Sequence, residues 1–328
     1  MKVAVYAPAR IHMGFYNFLT DSIAYGDLGV AIERPRVAVR ISNIDEDVFK
    51  VVNKSNVDIS DCIDRVTRAF DLSGVYIEIL DVIPRHMGLG STTQIMLAIA
   101  CALSVLRGSS CNVRDLAVRL CRGRDSGVGL AAFEKGGFVV NSGRKVSEGG
   151  KVLCPNSPLD LPQLIFRAPV PRKWSFIIFT PKVRKGLDEV SERKAMDMPT
   201  QLPRDIQYEL YKLVFLHMIP SILRRDIEVF GKALTKLQFT VGEYFSKYQG
   251  GVFCCEEAEL IINTMLKYNV KGVGQSSWGP SVYGLVEEQG KAIKVATRVL
   301  KEVKSKGIEV DYMVVKASNS GAKIIINE

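Results

Sequence analysis

One stretch constrains the fold of this chain more than any other: Pro84-Arg85-His86-Met87-Gly88-Leu89-Gly90-Ser91-Thr92-Thr93-Gln94. Val75–Ile83 before it alternates as a strand. Ser91–Leu106 after it is an apolar, Ala-rich run with Ser and Thr at its front, which predicts a buried helix with a side-chain N-cap. Glycines between the two let backbone amides approach an anion, and the free amides and dipole of a helix N-terminus favour negative charge. The hydroxyls of Ser91, Thr92 and Thr93 suit phosphate oxygens or a magnesium ion. No Lys follows the glycines, so the Walker pattern is absent. A capped helix after a tight turn is the plain alternative for the segment taken alone.

Two more glycine-rich segments follow. Arg122-Gly123-Arg124-Asp125-Ser126-Gly127-Val128-Gly129 sets two arginines beside a Ser-Gly turn and leads to Gly136-Gly137. Gly272-Val273-Gly274-Gln275-Ser276-Ser277-Trp278-Gly279-Pro280 is a turn dense in small donors, with one Trp. Each alone is compatible with ordinary turn chemistry. Three in one chain, each flanked by strand or helix, point to a shared phosphate-lined cleft between domains.

At roughly 100–200 residues per domain, 328 residues predict two domains. Lys2–Ala7 reads as a strand ending in a Pro-bounded turn, and Leu28–Ser42 as one or two strands around Pro35. Phe138–Asn141 and Trp174–Thr180 read as strands, and Lys145–Pro162 as a surface loop. A short helix is expected over Val113–Cys121. Pro203–Lys247 is helical in pattern with one break near Pro220, and a helix fits Glu256–Tyr268. A strand–turn–strand over Val270–Val286, a helix Gln289–Lys306 and strands Val310–Val315 and Lys323–Asn327 complete the chain. The boundary is placed near residue 190, giving domains 1–190 and 191–328. Neither half has a regular βαβ repeat, so the fold class is α+β.

Lys and Arg exceed Asp and Glu by 44 to 35, a net charge of +9, which favours anionic partners. The basic residues are scattered rather than run together. The longest apolar stretch, Ile95–Leu106, is too short to cross a bilayer, and the first residues do not resemble a secretory signal. Seven cysteines without a C-x-x-C pair read as reduced thiols of a cytoplasmic protein, Cys254-Cys255 being two thiols at a helix start. His217, in a helical pattern with Leu213 and Leu216, is taken as structural.

Ala7-Pro8-Ala9-Arg10, the Gly88–Ser91 loop and the Gly272–Gly279 turn resemble, in order and separation, the three motifs of the GHMP kinase superfamily. That resemblance implies a ribosomal-protein-like α+β domain followed by a ferredoxin-like α+β domain. Where mevalonate-type kinases carry an Asp for phosphoryl transfer, this chain has Gly129, which can neither accept a proton nor orient a nucleophile. Ala9–Gly14, His86–Gln94, Ser126–Phe138, Ser276–Pro280 and Lys316–Gly321 more closely resemble a non-kinase branch, the β-ribofuranosylaminobenzene 5′-phosphate synthases. That branch implies condensation of 4-aminobenzoate with phosphoribosyl diphosphate, releasing carbon dioxide and diphosphate, in methanopterin-type cofactor biosynthesis. It also implies small-molecule substrates with no nucleic-acid or membrane partner, magnesium as cofactor, and a homodimer.

The resemblance distributes roles. Gly88, Gly90, Ser91, Thr92 and Thr93 bind the departing diphosphate, with Ser91 and Glu134 on magnesium. His12, His86 and Glu134 are candidate catalytic groups, the alternatives being a structural hydrogen bond for each histidine and a salt bridge to Lys135 or Arg124 for Glu134. Arg10, Gln94, Arg124, Ser126, Gly127, Gly274, Gln275, Ser276, Ser277 and Trp278 are candidate substrate-binding residues, Trp278 either as a platform for the aromatic acid or as core packing. Two departures bear on the metal site: Val140-Asn141-Ser142-Gly143 lacks an acid common in the branch, and Asp125 stands where a neutral or basic residue is usual. An ATP-dependent small-molecule kinase and a nucleic-acid-binding module are the competing functions. The second needs basic residues grouped with exposed aromatics, whereas the arginines gather near glycine motifs.

Overall fold

The computed structural model describes residues 1–45, 47–183 and 195–327. Its frame is a long antiparallel hairpin of β1 (Lys2–Thr20) and β2 (Ile23–Asn43), with Thr20 opposite Ile23. Asp21 and Ser22 turn the chain at φ 46° and 65°, as a two-residue hairpin matched to strand twist requires. The first strand therefore does not stop at Pro8, contrary to expectation. The register shifts between Pro8 and Ala9, and a bulge is where a residue without an N–H fits in a strand. Pro35 likewise lies inside one continuous β2.

Among the described residues, β3 (Phe49–Asn53), β4 (Val75–Asp81), β5 (Phe138–Asn141), β6 (Arg144–Lys145) and β7 (Leu164–Ala168) extend this sheet. A second sheet has the order β11-β8-β10-β9, from β8 (Trp174–Pro181), β9 (Gly272–Gln275), β10 (Val282–Glu287) and β11 (Val310–Val315). The last strand, β12 (Lys323–Asn327), returns to pair with β1. The boundary placed near residue 190 lies outside the described residues. Sheet membership crosses it in both directions, since β8 precedes it and β12 follows it. The mixed, non-repeating order is the α+β architecture expected.

Helix α1 (Ser60–Ala69), which sequence reading passed over, and α2 (Ser91–Leu106) lie together, with α2 packed on β1 and β2. Ile95 to Ala102 of α2 are all fully buried, so its pattern is apolar all round rather than striped. Helices α3 (Val113–Arg119) and α4 (Val128–Glu134) follow. The expected break at Pro220 is not there. Arg204–Tyr211, a π-helical Lys212–Met218 and Ile219–Arg224 run on continuously, and the wide turn shifts the carbonyls a proline ring would strike. The break falls at Arg225, at φ 61°, and Asp226, whose carboxylate accepts from the amides of Glu228 and Val229. The Ile227–Gln249 helix then runs to Gly250 at φ 85° and packs on β1 and β9.

Four of the seven cysteines are paired, Cys101 with Cys111 and Cys121 with Cys154, which corrects the expectation of reduced thiols throughout. Their Cα atoms lie 4.9 and 5.3 Å apart, a proximity made by tertiary folding and invisible in the spacing. Cys62, Cys254 and Cys255 carry free thiols.

The Ile227–Gln249 helix approaches β9 closely because Gly231 meets the Lys271 carbonyl and the Gly272 amide. A methyl group there would overlap that carbonyl. Gly231→Ala should therefore destabilise the fold by about 1–3 kcal/mol, seen as a lower urea midpoint at unchanged slope.

Candidate active site

The site is assembled around one backbone carbonyl. Gly88 O accepts from the Arg10 guanidinium and, at 2.7 Å, from the Ser276 hydroxyl. That hydroxyl also accepts from the His12 amide at 3.0 Å, and the Arg10 amide donates to Leu89 O at 3.1 Å. Three segments far apart in sequence are thus stitched together: β1, the 84–90 loop and the 276–280 turn. Gly88 has φ 74°, and a Cβ there would overlap the Ser276 carbonyl, so a glycine is required on both counts.

Beside this stitch opens a cavity with two unlike walls. The first carries Arg10, Gly90, Thr93, Arg122, Gly123, Asp125, Ser126 and Gly129. Gly90, at φ 85°, begins α2 with no side-chain cap. The expected Ser cap is absent because the Ser91 hydroxyl turns back to donate to Ile83 O at 2.6 Å. The first-turn amides of α2 are therefore not covered by a side chain and suit an anion. Arg122 Nε donates to Thr93 Oγ1 at 3.3 Å, which sets a guanidinium beside that turn. Gly129, with its carbonyl held by Gln94 Nε2 at 2.8 Å, faces Thr93.

The second wall is apolar: Phe15 from β1, Val241 and Phe245 from the Ile227–Gln249 helix, Phe253 and Val252, and Trp278. Trp278 meets Phe245 edge to face at 4.9 Å between centroids. Gln238 clamps this wall to the sheets, donating to Met13 O at 2.7 Å and accepting from the Gln275 amide at 2.8 Å.

His12 sits between the walls, 3% exposed. Its Nδ1 accepts from the Gly14 amide at 3.2 Å, and its Nε2 lies 3.9 Å from Asp27 Oδ2. Burial lowers its pKa; Asp27 opposes this and Arg10 adds to it. Asp27, fully buried, accepts from the Gly127 amide and from Asn141 Nδ2, each at 2.7 Å. Asn141, noted in the sequence as a lost acid, is thus the partner of a different one.

The structure gathers Arg10, His12, Gly90, Thr93, Ser126, Gln275, Ser277 and Trp278 on the cavity. Gly88, Ser276, Gln94, Gly127 and Gly274 lie behind it; Gly274 leaves room for the Gln238 side chain. Ser91 is spent on Ile83, and Thr92 and the exposed His86 are outside the lining. Arg124 is also outside, pairing with Asp197 and lying 3.6 Å from Asp125. Glu134 is outside as well, 3.4 Å from Arg114 Nε, its pKa raised by burial against the pull of Arg114 and Lys135. Ser91 and Glu134 therefore do not fit a shared magnesium site, and among the described residues no three His, Cys, Asp or Glu groups come together for a metal.

Of the two arginines that the sequence sets beside the Ser-Gly turn, Arg122 lines the cavity and Arg124 does not. Sequence reasoning missed Asp27 and, apart from Trp278, the apolar wall, because a helix's apolar positions look alike whether they face a core or a cavity.

Arg122→Ala should weaken binding of inorganic diphosphate about tenfold, the scale of one charge-assisted hydrogen bond. Arg124→Ala should leave it within about twofold, as titration calorimetry checks. Because His12 resists protonation in the fold, the unfolded chain gains a proton first as pH drops below about 6.5, and stability is lost in that direction. His12→Gln should flatten this acid-side fall in the urea midpoint.

Comparison with known proteins bears on this geometry. Curated relatives named beta-ribofuranosylphenol 5'-phosphate synthase come from Archaeoglobus fulgidus, 29% identical with 97% of each chain covered, and Methanocaldococcus jannaschii, 28% identical with 98% of this chain and 99% of the relative covered. A third, from Methanothermobacter thermautotrophicus, is 26% identical over 88% of this chain and 90% of its own. Solved structures with the same fold include homoserine kinase from Cytophaga hutchinsonii, with a TM-score of 0.69, 18% identity and 99% and 97% of the chains covered. Mevalonate diphosphate decarboxylase from Staphylococcus aureus gives 0.63 and 16%, with 99% and 98% covered. The models for the GHMP kinases N terminal domain and GHMP kinases C terminal match residues 58–137 and 218–305, about half of the chain together. With its glycine loop against an uncapped helix and its stitched late turn, the chain belongs to the GHMP kinase superfamily.

Proposed function

We propose that this chain is a pentosyltransferase that joins C1 of phosphoribosyl diphosphate to the ring of a para-substituted benzoate, with loss of carbon dioxide. The observation that carries this is the two-walled cavity, cationic and amide-lined on one side and aromatic on the other. A nucleotide kinase for small polar alcohols has less use for the second wall, and Gly129 supplies it no carboxylate.

In this mechanism diphosphate lies against the first turn of α2, with Arg10 and Arg122 balancing its charge as the bond to C1 of the ribose breaks. The benzoate ring stands between Phe15, Val241, Phe245 and Trp278. Its carboxylate-bearing carbon supplies the electron pair for the new C–C bond. The bond to the carboxylate then breaks, its electrons restore the aromatic ring, and carbon dioxide leaves. No proton needs to reach the ring carbon, which agrees with a site that offers a buried, uncharged imidazole rather than an exposed general acid. Magnesium would supply charge compensation only as a counter-ion of the diphosphate, and no residue of the chain is assigned to it.

The relatives' name specifies a phenol product, where the sequence resemblance suggested the aminobenzene. Both 4-hydroxybenzoate and 4-aminobenzoate carry the electron-donating para group that ring attack requires. Incubation of the protein with either acid, labelled in the carboxyl carbon, plus phosphoribosyl diphosphate and magnesium should release labelled carbon dioxide. Consumption of ATP with an alcohol acceptor, and no carbon dioxide, would return the chain to the kinases.

A further inference from the structure

The segment that gives Val252 and Phe253 to the aromatic wall continues into two thiols with no part in the reaction proposed above. Cys254 and Cys255 are both half-buried, and Cys254 donates its S–H to Cys255 Sγ across 3.6 Å. Cys255 is the N-cap of the helix Glu256–Lys267. The Cys254 S–H and the Ala258 amide favour its thiolate and bring its pKa down, against the pull of burial and of Glu257. The same hydrogen bond, together with burial, pushes the Cys254 thiol up. One thiol is thus primed to attack, and its neighbour is within reach to resolve. The third free thiol, Cys62, lies in the core, where burial pushes it up to about 11.

The pair is tied to the turn that carries Trp278. The Cys254 sulfur packs on Gly279, where an added Cβ would stand 2.6 Å from it. The Cys254 amide donates to Gln275 Oε1 at 2.7 Å, and Gln275 Nε2 donates to Ser277 O at 3.0 Å. Both flanks of Trp278 are therefore linked to Cys254. Cys255 is held from the other side, its carbonyl accepting from the Glu259 amide at 3.2 Å. A disulfide needs its sulfurs about 2.05 Å apart and usually joins Cα atoms at least about 4.4 Å apart. Adjacent Cα atoms are only about 3.8 Å apart. Joining these two sulfurs must twist the backbone between them. With Cys255 fixed to its helix, the adjustment falls on Cys254 and its contacts with Gly279 and Gln275.

We propose that Cys254 and Cys255 form a dithiol site that exchanges with small disulfides and closes reversibly, shifting the Trp278 turn as it does so. The Cys255 thiolate attacks one sulfur of the small disulfide, whose S–S bond breaks and whose other half leaves, taking up a proton as a thiol. Cys254 then gives up its proton and attacks the Cys255 sulfur of the mixed disulfide, releasing the second half as a thiol. Two protein thiols are oxidised and one small disulfide is reduced to two thiols. A bond forced on adjacent residues is strained and easily reduced, as a reversible control requires.

The test treats the chain, with its two disulfides intact, with oxidised glutathione. Free thiols counted after unfolding should fall from three to one. The tryptic peptide Tyr248–Lys267, which holds this pair and no other cysteine, should become two hydrogens lighter and carry no glutathione. Cys254→Ser should stop at a stable glutathione adduct on Cys255, and Cys255→Ser should lose the reaction. Tryptophan emission should shift on closure and return with reduced glutathione. That shift should persist in Trp174→Phe and vanish in Trp278→Phe, since the chain has only these two tryptophans. A lasting adduct on the wild type, three thiols left unreacted, or closure with unchanged emission overturns the proposal. None of these readouts depends on the synthase reading, which stands or falls on carbon dioxide release.

Discussion

The Gly88 carbonyl is the point on which the site depends. An unprotonated backbone oxygen taking hydrogen bonds from a guanidinium and a hydroxyl fixes two side chains from opposite ends of the sequence. The same oxygen belongs to the loop that delivers Gly90 and the start of α2, so position and charge are set together. Buried polar links of this kind act through geometry more than net energy, because each replaces bonds to water. Here they hold β1, the glycine loop and the late turn at separations that main-chain pairing alone does not impose.

From that stitch follows the division of the cavity. Arg10 and His12 share a strand but face different chemistry: one is tied to a carbonyl beside an amide-rich helix start, the other is enclosed next to Phe15 with an imidazole that burial keeps uncharged. The guanidinium groups thus gather on one side, and the aromatic side keeps a low dielectric in which any single hydrogen bond counts for more.

Much of this was written in the order of residues. The apolar run at Ser91–Leu106 and the short strands Phe138–Asn141, Val310–Val315 and Lys323–Asn327 form where their patterns place them, since each is bounded by turn residues. The glycine segments marked the neighbourhood of the site for a similar reason: glycine takes the positive φ at Gly88 and Gly90 without steric cost. What was not legible depends on contacts between distant parts. Arg122 faces the cavity while Arg124 is taken by Asp197, 73 residues on. Pro8 and Pro220 look like stops until a bulge or a widened helical turn accommodates them. The cysteine partners meet only in the fold, Cys101 of α2 with Cys111 of the loop beyond it and Cys121 after α3 with Cys154 in the segment after β6.

The bond between Cys121 and Cys154 has a bearing on the cationic wall. Arg122 follows directly from a covalently anchored residue, so its backbone has little wandering to give up when an anion arrives. Cutting that anchor would leave the arginine's charge untouched while loosening the ground it stands on. The order of this wall is in that sense a property of the thiol–disulfide balance around the molecule as well as of the residues that form it.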